Sequence, residues 1–179
     1  MAVIFGDGAA AVCLEAVEDT NDGILATALH ADGSLARSLM TEAPASRENP
    51  RIDEAMLVDG RHYPVMDGRN IFKTAVRRLP RVTGEVLAKA GLELEAVDLF
   101  IPHQANLRIN QAFAKALNLA DDKVFHNIQR YGNTTAASIP LALDEALELG
   151  LVGAGSTVLF LGLGAGVTWG GVVYRFPDE

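Results

Sequence analysis

Two short segments, thirty residues apart, each set a polar side chain where an apolar run gives way to a helical pattern. The first is Ile101-Pro102-His103-Gln104-Ala105-Asn106, at the end of the apolar run 97–101. The second is Tyr131-Gly132-Asn133-Thr134-Thr135-Ala136-Ala137-Ser138, after an extended stretch over 124–128. Corners of this kind belong to folds in which helices return over a sheet, and ligands gather beyond the carboxyl ends of the strands. A His and an Asn at two such corners can both donate hydrogen bonds to one developing oxyanion. Each also has a plainer role open to it. His103 can cap the next helix, and Asn133 can be the N-cap of a helix starting at Thr134. Asn133 fills both roles if its oxygen caps while its NH₂ faces the site.

The rest of the chain alternates in the same way. Residues 2–5 read as strand, which predicts a chain cut from a longer protein. Residues 9–17 read as a buried strand paired to a second at 24–30 across a turn over 19–23. Residues 41–63 are polar, contain Pro44 and Pro50, and predict a long excursion with a short helix near 52–57. Asp67-Gly68 opens a helix whose Phe72, Ala75, Leu79, Val82 and Val86 recur at helical spacing. Pro80 predicts a kink in it and Gly91 its end. A strand over 97–101, helices over 104–117 and 134–149, and strands over 157–161 and 167–176 follow. The order β-β-α-β-α-(β)-α-β-β predicts an α/β fold over 1–179 in a single domain, with a mixed five-stranded sheet covered by helices.

Composition excludes several function classes. A net charge of −8 argues against generic nucleic-acid binding. The one Cys cannot form an internal disulfide and fits a reducing, cytoplasmic setting. The N-terminus lacks a basic leader, and the apolar stretch 158–167 is too short and glycine-rich to span a bilayer. His30, His62 and His126 have no Cys or carboxylate at ligand spacing, so no metal site is expected. Trp169 reads as core. Gly162-Leu163-Gly164-Ala165-Gly166 is not a dinucleotide motif, because a strand follows it where that motif needs a helix. It reads as a tight hairpin allowing close backbone approach to a ligand.

The two corner segments resemble the His and Asn of the Cys-His-Asn site of decarboxylating condensing enzymes, above all the β-ketoacyl-acyl-carrier-protein synthase III family. The resemblance runs from Phe5-Gly6-Asp7-Gly8-Ala9 to Thr168-Trp169-Gly170-Gly171. It implies the C-terminal half of the thiolase fold, whose two halves are related by a pseudo-twofold axis. It also implies the activity: transfer of an acyl group from coenzyme A to Cys, then condensation with malonyl-acyl-carrier protein, without metal or redox cofactor. By resemblance, His103 and Asn133 hold the enolate oxygen, each contributing roughly 2–4 kcal/mol to the transition state. The turn Gly164-Ala165-Gly166 offers the Ala165 N–H to the acyl oxyanion, where the family usually has Gly. Asn106 and Arg108 match contacts to the pantetheine or nucleotide moiety, and Lys73 matches a lysine facing the carrier.

Basic residues gather near the His103 corner of this acidic chain. Arg108 and Lys115 share a face of one helix, and Lys73, Arg77, Arg78 and Arg81 cluster on another. That distribution suits an acyl-carrier protein and a phosphopantetheine phosphate. The family's nucleophilic Cys lies in its N-terminal half, which is absent here. Cys13 lies mid-strand between Val12 and Leu14, without the helix N-terminus or cation that activates a thiol, and reads as a buried structural residue. The chain is therefore expected to be inactive alone, and to pair with an N-terminal half or with itself through exposed apolar surface. The alternatives are a subunit of a split condensing enzyme, a non-catalytic carrier-binding module, and a related long-chain acyl or polyketide enzyme. The glycine run departs from the Gly-Phe-Gly-Pro-Gly loop of chalcone-type synthases. Residues 41–66 are long and polar, a place where acyl-chain choice can be altered.

Overall fold

A computed structural model describes residues 4–16 and 22–178. Its main sheet has four strands in the order β1-β6-β5-β4: β1 Gly23–Ala31, β4 Leu99–Pro102, β5 Thr157–Gly164 and β6 Thr168–Arg175. β4 and β5 run parallel, with Leu99 opposite Val158 and Pro102 opposite Leu161. β5 turns back as a hairpin into β6, with Gly164 opposite Thr168, and β6 pairs antiparallel with β1. The parallel pair needs a crossover. It is supplied by α3 Leu107–Ala116, α4 Ile128–Tyr131 and α5 Ser138–Glu148.

Strand alternation sends side chains to two cores. Phe100, Leu159 and Leu161 join Leu79, Val82 and Phe113 on the face covered by α3 and by α2 Gly68–Ala90. Leu99, Ile101 and Val158 join Ala142 and Ala146 of α5 on the opposite face. β4 is buried on both faces, which is why it is written as an uninterrupted apolar run. α2 begins where Asp67 accepts from the Asn70 N–H and ends at Gly91 in the left-handed region, φ 66°. It continues as one helix through Pro80. Among the described residues no helix is long and apolar enough to cross a membrane.

Several expectations change. Residues 9–16 form no strand, so among the described residues the sheet has four strands and not five. Their apolar run has no neighbouring strand among the described residues to complete its hydrogen bonds, and Val12 and Leu14 are 65% and 74% exposed. Cys13 is exposed rather than buried. Val17 and most of the turn expected over 19–23 lie outside the described residues, as do residues 2 and 3, and β1 pairs with β6 instead. The helices also start later than periodicity implies. Gln104 and Ala105 stay in the loop because Asn106 caps α3, and a 3₁₀ turn over Thr135–Ala137 precedes α5. The extended stretch at 124–128 reduces to a single bridge, Val124 with Phe100, before α4.

The excursion carries a small hairpin-like sheet that was not anticipated: β2 Leu39–Thr41 pairs with β3 Pro64–Met66. Between them α1 Glu54–Val58 is capped by Asp53. Arg61 reaches both Glu42 and Glu48 at 3.3 Å and ties the excursion together.

Candidate active site

The carboxyl end of β4, the start of α3, the corner before α5 and the β5–β6 hairpin open onto one cavity of about 470 Å³. Its wall is largely apolar, from Ile71, Ala75 and Leu79 of α2 and Ile109 of α3. His103, Asn106, Asn133, Gly164 and Ala165 all line it. Gly166 sits at the hairpin tip, next to the cavity but not lining it. Lys73, Arg108 and Lys115 are exposed and outside it, Lys115 lying beside a separate depression with Asp121 and His126.

His103 is fixed by its neighbours on three sides. Its backbone N–H donates to the Leu161 carbonyl at 2.7 Å, which continues the β4–β5 ladder into the loop. Its carbonyl accepts from the Ala105 N–H at 2.9 Å. Its Nδ1 lies 2.6 Å from Ser138 Oγ. Burial pushes the imidazole below its ordinary pKa of 6.5, so the ring is neutral near pH 7.

Asn133 is held on both backbone sides by a strap of residues 4–6. Its N–H donates to the Ile4 carbonyl at 2.9 Å, and its carbonyl accepts from the Gly6 N–H at 3.0 Å. Gly132 makes the turn at φ 70°, in a conformation that favours glycine. The Asn133 Oδ1 accepts from the Thr135 N–H at 2.8 Å. Its Nδ2 has no acceptor among the described residues, and only 8% of the residue is exposed. The Oδ1 is thus spent on the corner, which leaves the NH₂ without a partner among the described residues.

Asn106 and Arg78 each make a contact that the sequence did not suggest. Asn106 lines the cavity, but its Oδ1 is engaged as the cap of α3, accepting from the Arg108 N–H at 2.9 Å. Arg78 leaves the basic cluster of α2. It turns inward to Asp32 at 3.3 Å and stacks its guanidinium 4.5 Å from the centre of the Trp169 ring, which is buried as expected.

Three residues were missed. Gln104 is 1% exposed and makes three hydrogen bonds: Nε2 donates to the Pro102 and Phe125 carbonyls at 2.7 and 3.2 Å, and Oε1 accepts from the Asn127 N–H at 3.2 Å. Ser138 bonds the His103 ring and also accepts from the Gln104 N–H at 3.2 Å. Asn110, buried on the apolar stripe of α3, lines the cavity with neither carboxamide atom paired among the described residues. A polar residue on a buried helical stripe was the available signal for Asn110; nothing in the spacing pointed to the other two.

The sequence pattern defining the C-terminal domain of 3-oxoacyl-[acyl-carrier-protein] synthase III matches residues 87–176. The chain belongs to the 3-oxoacyl-[acyl-carrier-protein] synthase III family. A second pattern of the same family, distinct from the C-terminal one, matches residues 1–33. The chain is 47% identical to the β-ketoacyl-[acyl-carrier-protein] synthase III of Aquifex aeolicus over 97% of its own length and 50% of the relative's. It is 44% identical to the synthase III of Microcystis aeruginosa, over 98% of this chain and 53% of that one. The crystal structure of the Aquifex aeolicus synthase superposes with a TM-score of 0.76 at 45% identity, over 90% of this chain and 46% of that one. The chain thus spans about half the length of the synthases it matches, and its thiolase-like α/β architecture is theirs.

Proposed function

We propose that this chain supplies the oxyanion-stabilising half of a decarboxylative acyl condensation. The observation that carries the reading is the convergence of His103, Asn133 and the Ala165 hairpin on one apolar cavity. The substrates are an acyl-coenzyme A and a malonyl-acyl-carrier protein, and the nucleophilic Cys comes from an N-terminal half, in the same longer protein or on a second subunit.

In the first step the Cys thiolate attacks the acyl thioester, a C–S bond forms to the enzyme, and coenzyme A leaves as thiolate. In the second, the malonyl carbon–carbon bond breaks and carbon dioxide leaves. The electron pair moves onto the thioester oxygen, where the neutral His103 ring and Asn133 Nδ2 donate to the enolate. The enolate carbon attacks the acyl-enzyme. The resulting oxyanion is held by the Ala165 N–H and collapses with loss of the Cys thiolate. Electrons balance with no redox group and no metal. An apolar wall strengthens both sets of hydrogen bonds and keeps water from the enolate.

Exposed Lys73, Arg77 and Arg81 recur at four-residue spacing on α2, and Arg108 and Lys115 are exposed on α3. On this reading they meet an acidic carrier protein and its phosphate-bearing arm. The face of β1 and β6 away from α2 is open, with Leu29 82% exposed, and is where the Cys-bearing half would pack. Until it does, the chain should self-associate, and a monodisperse monomer in sedimentation would count against that packing.

The test is complementation. The chain alone should take no stoichiometric acyl group from acyl-coenzyme A. Mixed with a Cys-bearing N-terminal half of a synthase III, it should yield β-ketoacyl product. His103→Ala or Asn133→Ala should each lower kcat about 10²–10³-fold. Acylation of Cys13 in the lone chain, or product formation indifferent to both substitutions, would overturn the reading.

A further inference from the structure

The Ser138 hydroxyl occupies a position that decides where the proton on His103 resides. It is at the first residue of α5, 2% exposed, and touches two groups of the other corner. Its oxygen accepts the Gln104 N–H at 3.2 Å and lies 2.6 Å from His103 Nδ1. A buried hydroxyl must place its own proton on an acceptor. Among the described residues, Nδ1 is the acceptor its oxygen reaches.

The two neutral tautomers differ sharply in this setting. If Nδ1 carried the proton, Ser138 Oγ would receive two N–H donors and its own O–H would be buried without a partner. If Nδ1 is bare, the Gln104 N–H donates to Oγ, Oγ–H donates to Nδ1, and every group is satisfied. The ring proton is then on Nε2. Burial of the imidazole disfavours the doubly protonated form, which would orphan the same hydroxyl.

We infer that Ser138 is a positioning residue that locks His103 as the Nε2–H tautomer and so turns its remaining nitrogen into a hydrogen-bond donor. The hydroxyl also spans the two corners, since Ser138 belongs to the segment that begins with Asn133 and bonds the segment that begins with His103. The value of that donor to an enolate rests on the condensation reading above; the tautomer itself does not.

Imidazole nitrogen resonances of the full chain, labelled with ¹⁵N and observed through two-bond proton correlations, report the tautomer directly. The His103 pattern is assigned by its loss in His103→Gln, among four histidines. In the unmodified chain Nδ1 should resonate as a bare, hydrogen-bonded nitrogen and Nε2 as a protonated one. In Ser138→Ala the ratio of Nε2–H to Nδ1–H should fall about five- to tenfold, the loss expected of one hydrogen bond. Ser138→Thr, which keeps the hydroxyl, should restore it. A protonated Nδ1 in the unmodified chain overturns the assignment without any variant being needed. An unchanged ratio in a folded Ser138→Ala chain does so as well. Failure of complementation with the Nε2–H tautomer in place would count against the condensation chemistry and not against Ser138.

Discussion

Replacing Gln104 by Leu keeps the side-chain volume near its native value and removes three buried hydrogen bonds at once. The groups left behind are unequal. The Asn127 N–H is a single donor in a residue only 2% exposed, and it loses its acceptor outright. The Pro102 and Phe125 carbonyls each lose a bond from Nε2, but a carbonyl has a second lone pair and suffers less. An orphaned buried polar group costs about 1–3 kcal/mol, so one full and two partial losses total about 4 kcal/mol. Against a typical stability of about 5–15 kcal/mol that is a large fraction. With a urea slope of about 2 kcal/mol/M, the unfolding midpoint should drop by about 2 M. The slope itself should not change. Gln104→Glu is the informative partner. It keeps an acceptor for Asn127 but points a carboxylate at two carbonyls, which raises that carboxyl's pKa in the folded state. The penalty is therefore present above the unfolded pKa and relieved as pH falls. A loss under about 1 kcal/mol for Gln104→Leu would refute the claim that these three bonds hold the His103 corner.

The same geometry sets three further outcomes. Because burial lowers the His103 pKa, the folded chain binds its proton less readily than the unfolded one; the penalty is absent above 6.5 and grows as pH falls toward the folded pKa. An NMR titration of His103 should have its midpoint below 6.5, and condensation by the complemented enzyme should fail through that midpoint. Gly6→Ala would drive a Cβ into the Tyr131 carbonyl oxygen, so the strap must leave Asn133; amide exchange at Asn133 should accelerate, with β4–β5 unaffected. Glu145 is desolvated, which raises its pKa, but bonds from Arg130 and Asn127 outweigh that and lower it. Glu145→Gln should lower stability at neutral pH, and the gap should close as pH falls through the folded pKa of Glu145 in the unmodified chain.

What the sequence disclosed was whatever depends on local rules. Asp67 and Gly91 bound α2 because capping and a left-handed turn are local. The His103 corner was legible because it ends the apolar run of β4, and the Asn133 corner because a Gly-Asn turn precedes a helical pattern. The failures were non-local. Residues 9–16 have a buried strand's apolar run, but a strand exists only if another lies beside it, and a local run says nothing of that neighbour. β2 and β3 are three residues each and pair across the whole excursion. Arg78 looked like one more surface cation until Asp32 and Trp169, distant in sequence, gave it partners. Gln104 looked like a helix residue because its loop is set by bonds to residues more than twenty positions away.

Those distant bonds share a purpose that the individual contacts conceal. A pair of oxyanion donors works only if the distance between them is fixed, since a misplaced donor forfeits much of its effect. Here His103 and Asn133 are on separate loops, and loops are the least constrained parts of a fold. Three ties remove that freedom. Ser138 bonds the His103 ring. Gln104 bonds Asn127, whose Nδ2 donates to Glu145 at 3.1 Å, and Glu145 pairs in turn with Arg130 of α4. The strap of residues 4–6 clamps the Asn133 backbone from outside. Each tie joins segments from different parts of the chain, so loosening one should shift both donors rather than one. The polar residues buried around this site thus act on geometry first, and their contribution to stability is the means by which that geometry persists.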